Sequence, residues 1–374
     1  MTQNIQYLAL GEFFSGPGGL ALGAILSESN NDGKILKIKH VWANDYDKDT
    51  CDTYKHNICK DETNPHVICQ DIRKLNLDLL SPIDIFSYGF PCNDFSIVGE
   101  QKGFDGHFGP LYSYGVAILN KVKPKVFVAE NVGGIASAND GQAFKTILND
   151  LKNAGNGYKI TVHLYKSEDY GVPQTRHRYI IVGIEKTLKL EFKVPHPSHH
   201  KTPVSVKMAL SNIPKNALNN EHTKTASQVV ERLKHIKPGE NAWTATLPNH
   251  LKLNVKSAKM SQIYKRLHPD RPSYTITGSG GGGTHGYHHE EPRPLTNRER
   301  ARIQSFPDDF EFLGSKESVR KQIGMAVPPK LSQVVFTAIL NTLNHVSYPH
   351  VKANYQIESD IKQQNLSLFD STYA

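Results

Sequence analysis

Cysteine is scarce: Cys51, Cys59, Cys69 and Cys92 are the only ones in 374 residues, and no two stand in C-x-x-C spacing. A disulfide framework is excluded, and a structural zinc lacks a ligand set, so no metal centre is expected. Long apolar runs are missing too. Hydrophobic residues make up 38% of the chain and the mean hydropathy is -0.47. No stretch approaches the roughly 18 consecutive apolar residues of a membrane span, so no membrane protein is expected. The opening MTQNIQYLALGEFF has no charged region, apolar stretch and small-residue cleavage site of a secretory signal, which makes the cytoplasm the expected location. Two phosphate-binding signatures are absent as well. There is no G-x-x-x-x-G-K-[ST], and glycines at 16, 18, 19 and 23 miss the G-x-G-x-x-G spacing.

Positive charge is present, and it is localised. From Lys186 to Tyr274 the chain holds 13 Lys and 3 Arg against Glu191, Glu221, Glu231, Glu240 and Asp270, a net +11 within a formal total of +8. The remainder is near -3. A basic excess confined to one segment suits a polyanion such as nucleic acid, with a lysine-rich solvated surface as the competing reading.

Short apolar runs alternate with helical patterns through the first half, at Tyr7 to Leu10, His40 to Ala43, Val67 to Cys69, Ile83 to Tyr88, Val126 to Ala129, Ile160 to Leu164 and Tyr179 to Ile184. This rhythm predicts an α/β fold, a doubly wound, Rossmann-like parallel sheet with helices on both faces. The helical pattern GLALGAILSES follows the first run. The runs lead in turn into FFSGPGG, Asn44-Asp45, Asp71, Phe90-Pro91-Cys92 and Glu130-Asn131. Ligands of open α/β sheets bind outside the carboxyl ends of the strands, so these residues are expected to converge on one crevice. After Ile184 the periodicity fades, and a smaller irregular domain is expected over 186–290. The first domain spans 1–185, the chain returns to it over 291–346, and 347–374 is a loosely ordered tail. Thr296 and Glu299 read as the capping box of a helix in RPLTNRERARIQSFPDDF. A further helix is expected after Pro329, with Leu331, Val334, Val335, Ala338 and Ile339 on one face.

The chemistry sits in four segments. The glycines of FFSGPGG at 13–19 let backbone approach a ligand, and Asp45 at the next strand end can hold a ribose hydroxyl. A plain tight turn is the alternative. Without a pyrophosphate signature the ligand reads as a nucleoside, of which S-adenosylmethionine is the commonest. In GFPCNDFS at 89–96, Cys92 lies just past a strand and a proline, where a thiolate can be exposed and activated, whereas Cys51, Cys59 and Cys69 read as buried thiols. In ENV at 130–132, a desolvated Glu130 could hold a proton near neutrality for a ring nitrogen, or merely cap a helix. In QTRHR at 174–178, alternation places Gln174, Arg176 and Arg178 on one face, suited to a phosphate, a carboxylate or a base carbonyl, or to protecting a sheet edge.

Together these motifs resemble the DNA (cytosine-5)-methyltransferases of bacterial restriction-modification systems. FFSGPGG, GFPCNDFS followed by GEQKGF, AENV, QTRHR, RPLTNRERARIQSFPDDF and QIGMAVPP occur in the family's order over residues 7–345, with the basic segment between QTRHR and RPLT. Three positions depart from its pattern: Glu12 replaces the usual Asp, Asn93 a frequent Gln, and Met325 a common Asn. The resemblance implies an S-adenosylmethionine methyltransferase sheet with a target-recognition domain, acting on double-stranded DNA without a metal. It implies that Cys92 attacks C6 of a flipped-out cytosine, Glu130 contacts N3 and the exocyclic amine, Arg178 binds O2, and Arg176 holds the site and a neighbouring phosphate. Phe14, Gly16, Pro17, Gly18 and Gly19, with Asp45, Asp71, Ile72 and Pro91, would hold S-adenosylmethionine, Asp45 at the ribose and Asp71 near the adenine. Val98 to Phe104, with Gly99 and Gly103, would close over the base.

A transfer-RNA cytosine-5 methyltransferase of similar fold and a catalytically silent DNA-binding regulator are the rival readings. The length of the basic segment argues against the first, and intact Cys92, Glu130 and Arg178 against the second. A monomer working at the nucleoid is expected. The tail segment QNLSLFD resembles short peptides that bind the replication sliding clamp, through Gln364, Leu366, Leu368 and Phe369, tethered by the polar stretch from about Lys352. Packing of these apolar residues on the large domain is the alternative.

Overall fold

The structure is a computed structural model that describes residues 4–60, 66–91, 111–254, 260–278 and 283–356, with backbone alone at 138–140. Cys92, Asn93, the Val98–Phe104 loop and the clamp-like tail peptide lie outside the described residues.

In chain order the elements are β1 (Asn4–Phe13), α1 (Gly19–Ile25), β2 (Glu28–Asn31), β3 (Lys34–Asp45), α2 (Lys48–Ile58), β4 (Val67–Cys69), β5 (Ile85–Tyr88), α3 (Tyr112–Val122), β6 (Val126–Val132), α4 (Gln142–Asn153), β7 (Tyr158–Lys166), β8 (Gln174–Thr175) and β9 (His177–Glu185). Then follow β10 (Val194–Pro195), α5 (Val206–Leu210), α6 (Ser227–Lys234), β11 (Ser273–Tyr274), α7 (Asn297–Ile303), α8 (Lys316–Met325), α9 (Pro329–Leu343) and β12 (His350–Val351). Eight strands form the main sheet in the order β2-β3-β1-β5-β6-β9-β7, with β4 also on β3.

The strand side chains alternate between two apolar layers, as the two-residue period requires. Ile85, Val126, Val128, Ile180 and Val182 face one layer, which α1, α2 and α9 cover through Leu20, Ala24, Tyr54, Leu331 and Val335. Phe86, Phe127, Ala129 and Ile181 face the other, which α3 and α4 cover through Ile118, Leu119, Phe144, Ile147 and Leu151. The three-layer α/β architecture is the expected one. Its sheet is mixed rather than all parallel. β4, β3, β1, β5 and β6 are mutually parallel, but β9 runs antiparallel to both β6 and β7.

Three further boundaries differ from the sequence reading. Helix α1 stops at Ile25, and Ser27 caps it by donating to the Gly23 carbonyl at 2.8 Å. The residues after it form the edge strand β2, which turns through Asp32-Gly33, both at positive φ, into antiparallel β3. An Asp-Gly pair accepts the left-handed backbone of a two-residue hairpin, which the helical reading of GLALGAILSES overlooked. Next, Leu188, Leu190, Phe192 and Val194 pack on the large domain's core, so that domain continues past residue 186 to β10. Last, the first part of the tail is tied down. β12 pairs with β10, Asn354 bonds the backbone of Leu164 on both sides, and the Tyr355 ring lies 5.1 Å from that of Phe144.

The expected capping box of Thr296 and Glu299 is present at α7, and α9 begins at Pro329 and buries Leu331, Val335, Ala338 and Ile339. The stretch Lys316–Leu343 has the length and composition of a membrane span, but 72% of its most apolar window is buried in the fold and Ala326–Pro328 breaks it into α8 and α9.

Beneath the glycine-rich turn, β1 carries a fully buried carboxylate. Glu12 accepts hydrogen bonds from the Tyr54 hydroxyl at 2.6 Å and the Ser87 hydroxyl at 2.7 Å. Both donors are neutral, and burial pushes the Glu12 pKa up from 4.5 to about 7. Folded protein therefore holds a proton here that unfolded protein releases, so this group's stabilising contribution is complete below pH 4.5 and is lost as pH rises through about 7. Glu12→Gln removes the titration. Urea unfolding from pH 4.5 to 8 should show wild type losing on the order of 3 kcal/mol relative to the variant; parallel profiles would refute the assignment.

Candidate active site

The parallel strands β1, β3, β4, β5 and β6 all end at one rim, which gathers the chemistry-bearing turns. After Phe13, Phe14 adopts φ 51°, a left-handed conformation rare for a residue with a Cβ. The chain then turns at Gly16, φ 55°, whose N–H donates to Asp45 Oδ2 at 3.0 Å. The Asp45 Oδ1 accepts from the Asp47 N–H at 3.1 Å. Burial raises the Asp45 pKa against these hydrogen bonds. Its carboxylate thus braces the turn that a ligand would meet.

The three glycines of FFSGPGG differ in what surrounds them. Gly16 faces open space, whereas a Cβ on Gly19 would come within 2.2 Å of the Val327 carbonyl and one on Gly18 within 2.7 Å of Ile58. Gly16 leaves room for a ligand; Gly18 and Gly19 let α1 close onto α2 and the segment before α9.

A cavity of about 260 Å³ opens beside this turn, with Phe14, Tyr46, Asp71, Ile72, Pro91 and Leu111 among its walls. Four of these, Phe14, Asp71, Ile72 and Pro91, are residues nominated from sequence. Asp45, Gly16, Pro17, Gly18 and Gly19 are not among the walls. The apolar and aromatic walls fit a purine ring, and Asp71 offers an acceptor for its amine. Arg73 engages that carboxylate, with its Nε 2.9 Å from Oδ1, and lowers the Asp71 pKa to about 2. Sequence reading missed Tyr46, which is 66% exposed; an aromatic directly after Asp45 was the available signal.

The catalytic candidates meet on β6 and β9. In the antiparallel register Glu130 stands opposite Ile180 and Val132 opposite Arg178, which makes Glu130 and Arg178 diagonal neighbours on one face. Arg178 Nε lies 2.9 Å from Glu130 Oε1, and each side chain is 13% exposed. Burial raises the Glu130 pKa, while the Arg178 and Arg176 cations pull it down. A Cβ on Gly89 would lie 3.2 Å from Glu130 Oε2, so the backbone leading to Cys92 passes directly over this carboxyl. Asn131 fastens the same segment, its Nδ2 donating to the Phe90 carbonyl at 3.1 Å.

Gln174, Arg176 and Arg178 do not share one task. Arg176 is buried and donates to the carbonyls of Ile276, Gly324 and Ala326 at 3.2, 3.0 and 3.1 Å. It joins the segment after β11 to the end of α8. Gln174 accepts from the Ile276 N–H at 2.9 Å and donates to Gln304. Met325 is 63% exposed between the two carbonyls on α8 that Arg176 holds. Those contacts use backbone, so the Met325 departure leaves them intact.

A family model described as C-5 cytosine-specific DNA methylase matches residues 8–341. The Type II methyltransferase M.BbvI of Brevibacillus brevis is 56% identical over 361 residues, covering 95% of this chain and 96% of that protein. M.NgoFVII of Neisseria gonorrhoeae, also a Type II methyltransferase, is 41% identical over 326 residues, covering 85% of this chain and 82% of its own. Among solved structures, the Entamoeba histolytica methyltransferase EhMeth shares the fold with a TM-score of 0.64 at 16% identity, over 90% of this chain and 99% of that one. The chain belongs to the C-5 cytosine-specific DNA methylase family and is a DNA (cytosine-5-)-methyltransferase, of a kind that generally uses S-adenosylmethionine.

Proposed function

We propose that the protein methylates C5 of a cytosine flipped out of a specific duplex DNA sequence, through a covalent bond between Cys92 and C6. The observation that carries this reading is the buried Glu130–Arg178 pair at 2.9 Å beneath the backbone that leads to Cys92. Bound S-adenosylmethionine supplies an electrophilic methyl group on its sulfonium. The protein's part is to make C5 nucleophilic.

The Cys92 thiolate adds to C6, and the electron pair of the C5–C6 double bond moves toward N3. Glu130, whose burial favours the protonated form, donates its proton to N3 and accepts a hydrogen bond from the exocyclic amine. Arg178 holds Glu130 through Nε and donates from Nη1 to the His177 carbonyl at 2.8 Å, which leaves Nη2 for the base O2. After C5 takes the methyl, loss of the C5 proton to a base expels the thiolate, and return of the N3 proton to Glu130 restores the ring and the starting carboxyl. Flipping costs a few kcal/mol of lost stacking and pairing, and the +11 charge of residues 186–274 supports the grip on the duplex that offsets it. Arg176 contributes by joining the recognition segment to α8, next to the phosphate of the flipped nucleotide.

The tail adds a second reading of partners. Tyr355 is anchored on the large domain, so the tether to the clamp-like peptide begins only after it. Gln364, Leu366, Leu368 and Phe369 would place a Gln and an apolar trio in a clamp pocket, raising the local enzyme concentration on newly replicated DNA.

Cys92→Ser should abolish methyl transfer while duplex binding in a mobility-shift assay stays within about threefold of wild type, since a hydroxyl is a far weaker nucleophile. A 5-fluorocytosine duplex should trap wild type covalently when S-adenosylmethionine is present; an active enzyme that is never trapped would disprove attack at C6. Glu130→Gln should lower kcat by about 10²- to 10⁴-fold with little change in the KM for DNA, and an unchanged kcat would remove Glu130 from the mechanism. A fluorescent peptide of residues 355–374 should bind purified sliding clamp saturably at micromolar concentration and lose binding on Leu368→Ala or Phe369→Ala. Equal binding by those variants, or none by wild type, would end the clamp reading.

A further inference from the structure

The cleft between β8 and the recognition segment carries charge of one sign and a polar atom without a partner. It measures about 580 Å³, and Thr175, Gln262, Lys265, His268, Arg271 and Tyr274 are among its walls. No aspartate or glutamate is among its walls. Its position is fixed by β11, which pairs with β8 in parallel, and by the Thr275 hydroxyl, which donates to the Thr175 carbonyl at 2.7 Å. The cleft therefore borders the strand that leads into Arg176 and Arg178.

The cations around it divide into two kinds. Arg266 is committed to the fold: its guanidinium donates to the carbonyls of Ile236, His288 and His289 at 2.8, 3.0 and 2.8 Å. The Lys265 ammonium, by contrast, lies 4.9 Å from the centre of the Tyr274 ring, and Arg271 is exposed. Neither has an ion pair among the described residues. Cations left without carboxylates beside a concave wall suit the phosphates of a strand that lies across it.

Gln262 supplies the more specific signal. Its amide oxygen is closed to solvent, and it accepts no hydrogen bond among the described residues. Buried acceptors are normally satisfied, so a missing donor at a cleft wall points to a ligand that brings one. In the major groove the base-edge donors are the N6 amine of adenine and the N4 amine of cytosine. A carboxamide also carries a donor of its own, and only adenine places an acceptor, N7, beside its amine to receive it.

We propose that Gln262 is a specificity-determining residue that reads an adenine in the target duplex, with Lys265 and Arg271 holding the adjoining phosphates. This rests on the DNA methyltransferase reading above. Gln262 accepts from N6–H and donates to N7, and its backbone is held by the Lys265 N–H, which donates to the Gln262 carbonyl at 3.2 Å, and by the Ala242 N–H, which donates to the Ile263 carbonyl at 3.1 Å.

The test is methylation of a library of duplexes with randomised sequence around cytosine, read by bisulfite sequencing, with full-length wild type and variants. Wild type should require adenine at one position of one strand. Gln262→Ala should relax that position alone, with discrimination falling about 5- to 150-fold. Gln262→Glu, of the same shape, should move the preference there to cytosine. Lys265→Ala and Arg271→Ala should keep the target sequence, weaken duplex binding for all sequences alike, and each lower the slope of log affinity against log salt by about one. A target without adenine, unchanged preferences in both Gln262 variants, or unchanged salt slopes in both cation variants would overturn the proposal. Wild type that methylates no duplex would instead overturn the DNA reading itself, which separates the two failures.

Discussion

The reversal of β9 against β6 is the constraint on which the active site depends. The strands β1, β3, β4, β5 and β6 run the same way and deliver their carboxyl ends to one rim. A parallel β9 would bring its carboxyl end there and carry QTRHR to the far edge of the sheet. Because β9 is antiparallel, its first residues reach the rim instead, and Arg178 meets Glu130 across a diagonal of the ladder. The ion pair is thereby built on two central strands whose backbones are fixed by hydrogen bonds on both sides. A pair held this way loses little freedom when a substrate arrives.

The same reversal sets the position of β11, which pairs with β8 just before β9. Two residues before Arg178, Arg176 leaves the sheet and donates to three backbone carbonyls, of Ile276 after β11 and of Gly324 and Ala326 at the end of α8. Gln174, two residues earlier, bonds the Ile276 N–H and Gln304. Desolvation works against a charge so deeply buried, and the convergence of carbonyl dipoles on the guanidinium answers it. The segment around Ile276 is consequently attached through the residues that lead into β9.

The cofactor side follows a different logic, in which carboxylates shape backbone. Asp45 is spent on the Gly16 and Asp47 N–H groups, and Glu12 on the hydroxyls of Tyr54 and Ser87. Tyr54 in turn packs under Gly18, where a Cβ would come within 3.2 Å of its ring. The left-handed Phe14 and Gly16 are held by these buried contacts rather than by local preference. Such a turn keeps its shape before any ligand binds, and the cavity walls of Phe14, Tyr46 and Ile72 are set by it.

Much of this was legible in the sequence, because it depends on local patterns. Apolar runs of period two marked the strands, the Thr296–Glu299 spacing marked a helix start, and the order of FFSGPGG, AENV and QTRHR marked the chemistry. The basic excess of 186–274 was legible as well, as a count of charges. Tertiary structure decided what those patterns leave open. Strand direction is invisible to hydrophobic periodicity, since a run such as YIIVG alternates identically whichever way it lies, so the antiparallel β9 could not be read. The division of labour between Arg176 and Arg178 was hidden for the same reason, because two equal cations at alternate positions differ only in the carbonyls or carboxylate that distant residues bring to them. The tail from Ser347 looked unpatterned, yet His350 pairs with Pro195, and Asn354 and Tyr355 find partners some 190 residues earlier in the chain at Leu164 and Val162. The sequence by itself determined which residues are able to act; the pairing of distant strands decided which of them meet, because proximity between remote residues is created only when the sheet closes its hydrogen bonds.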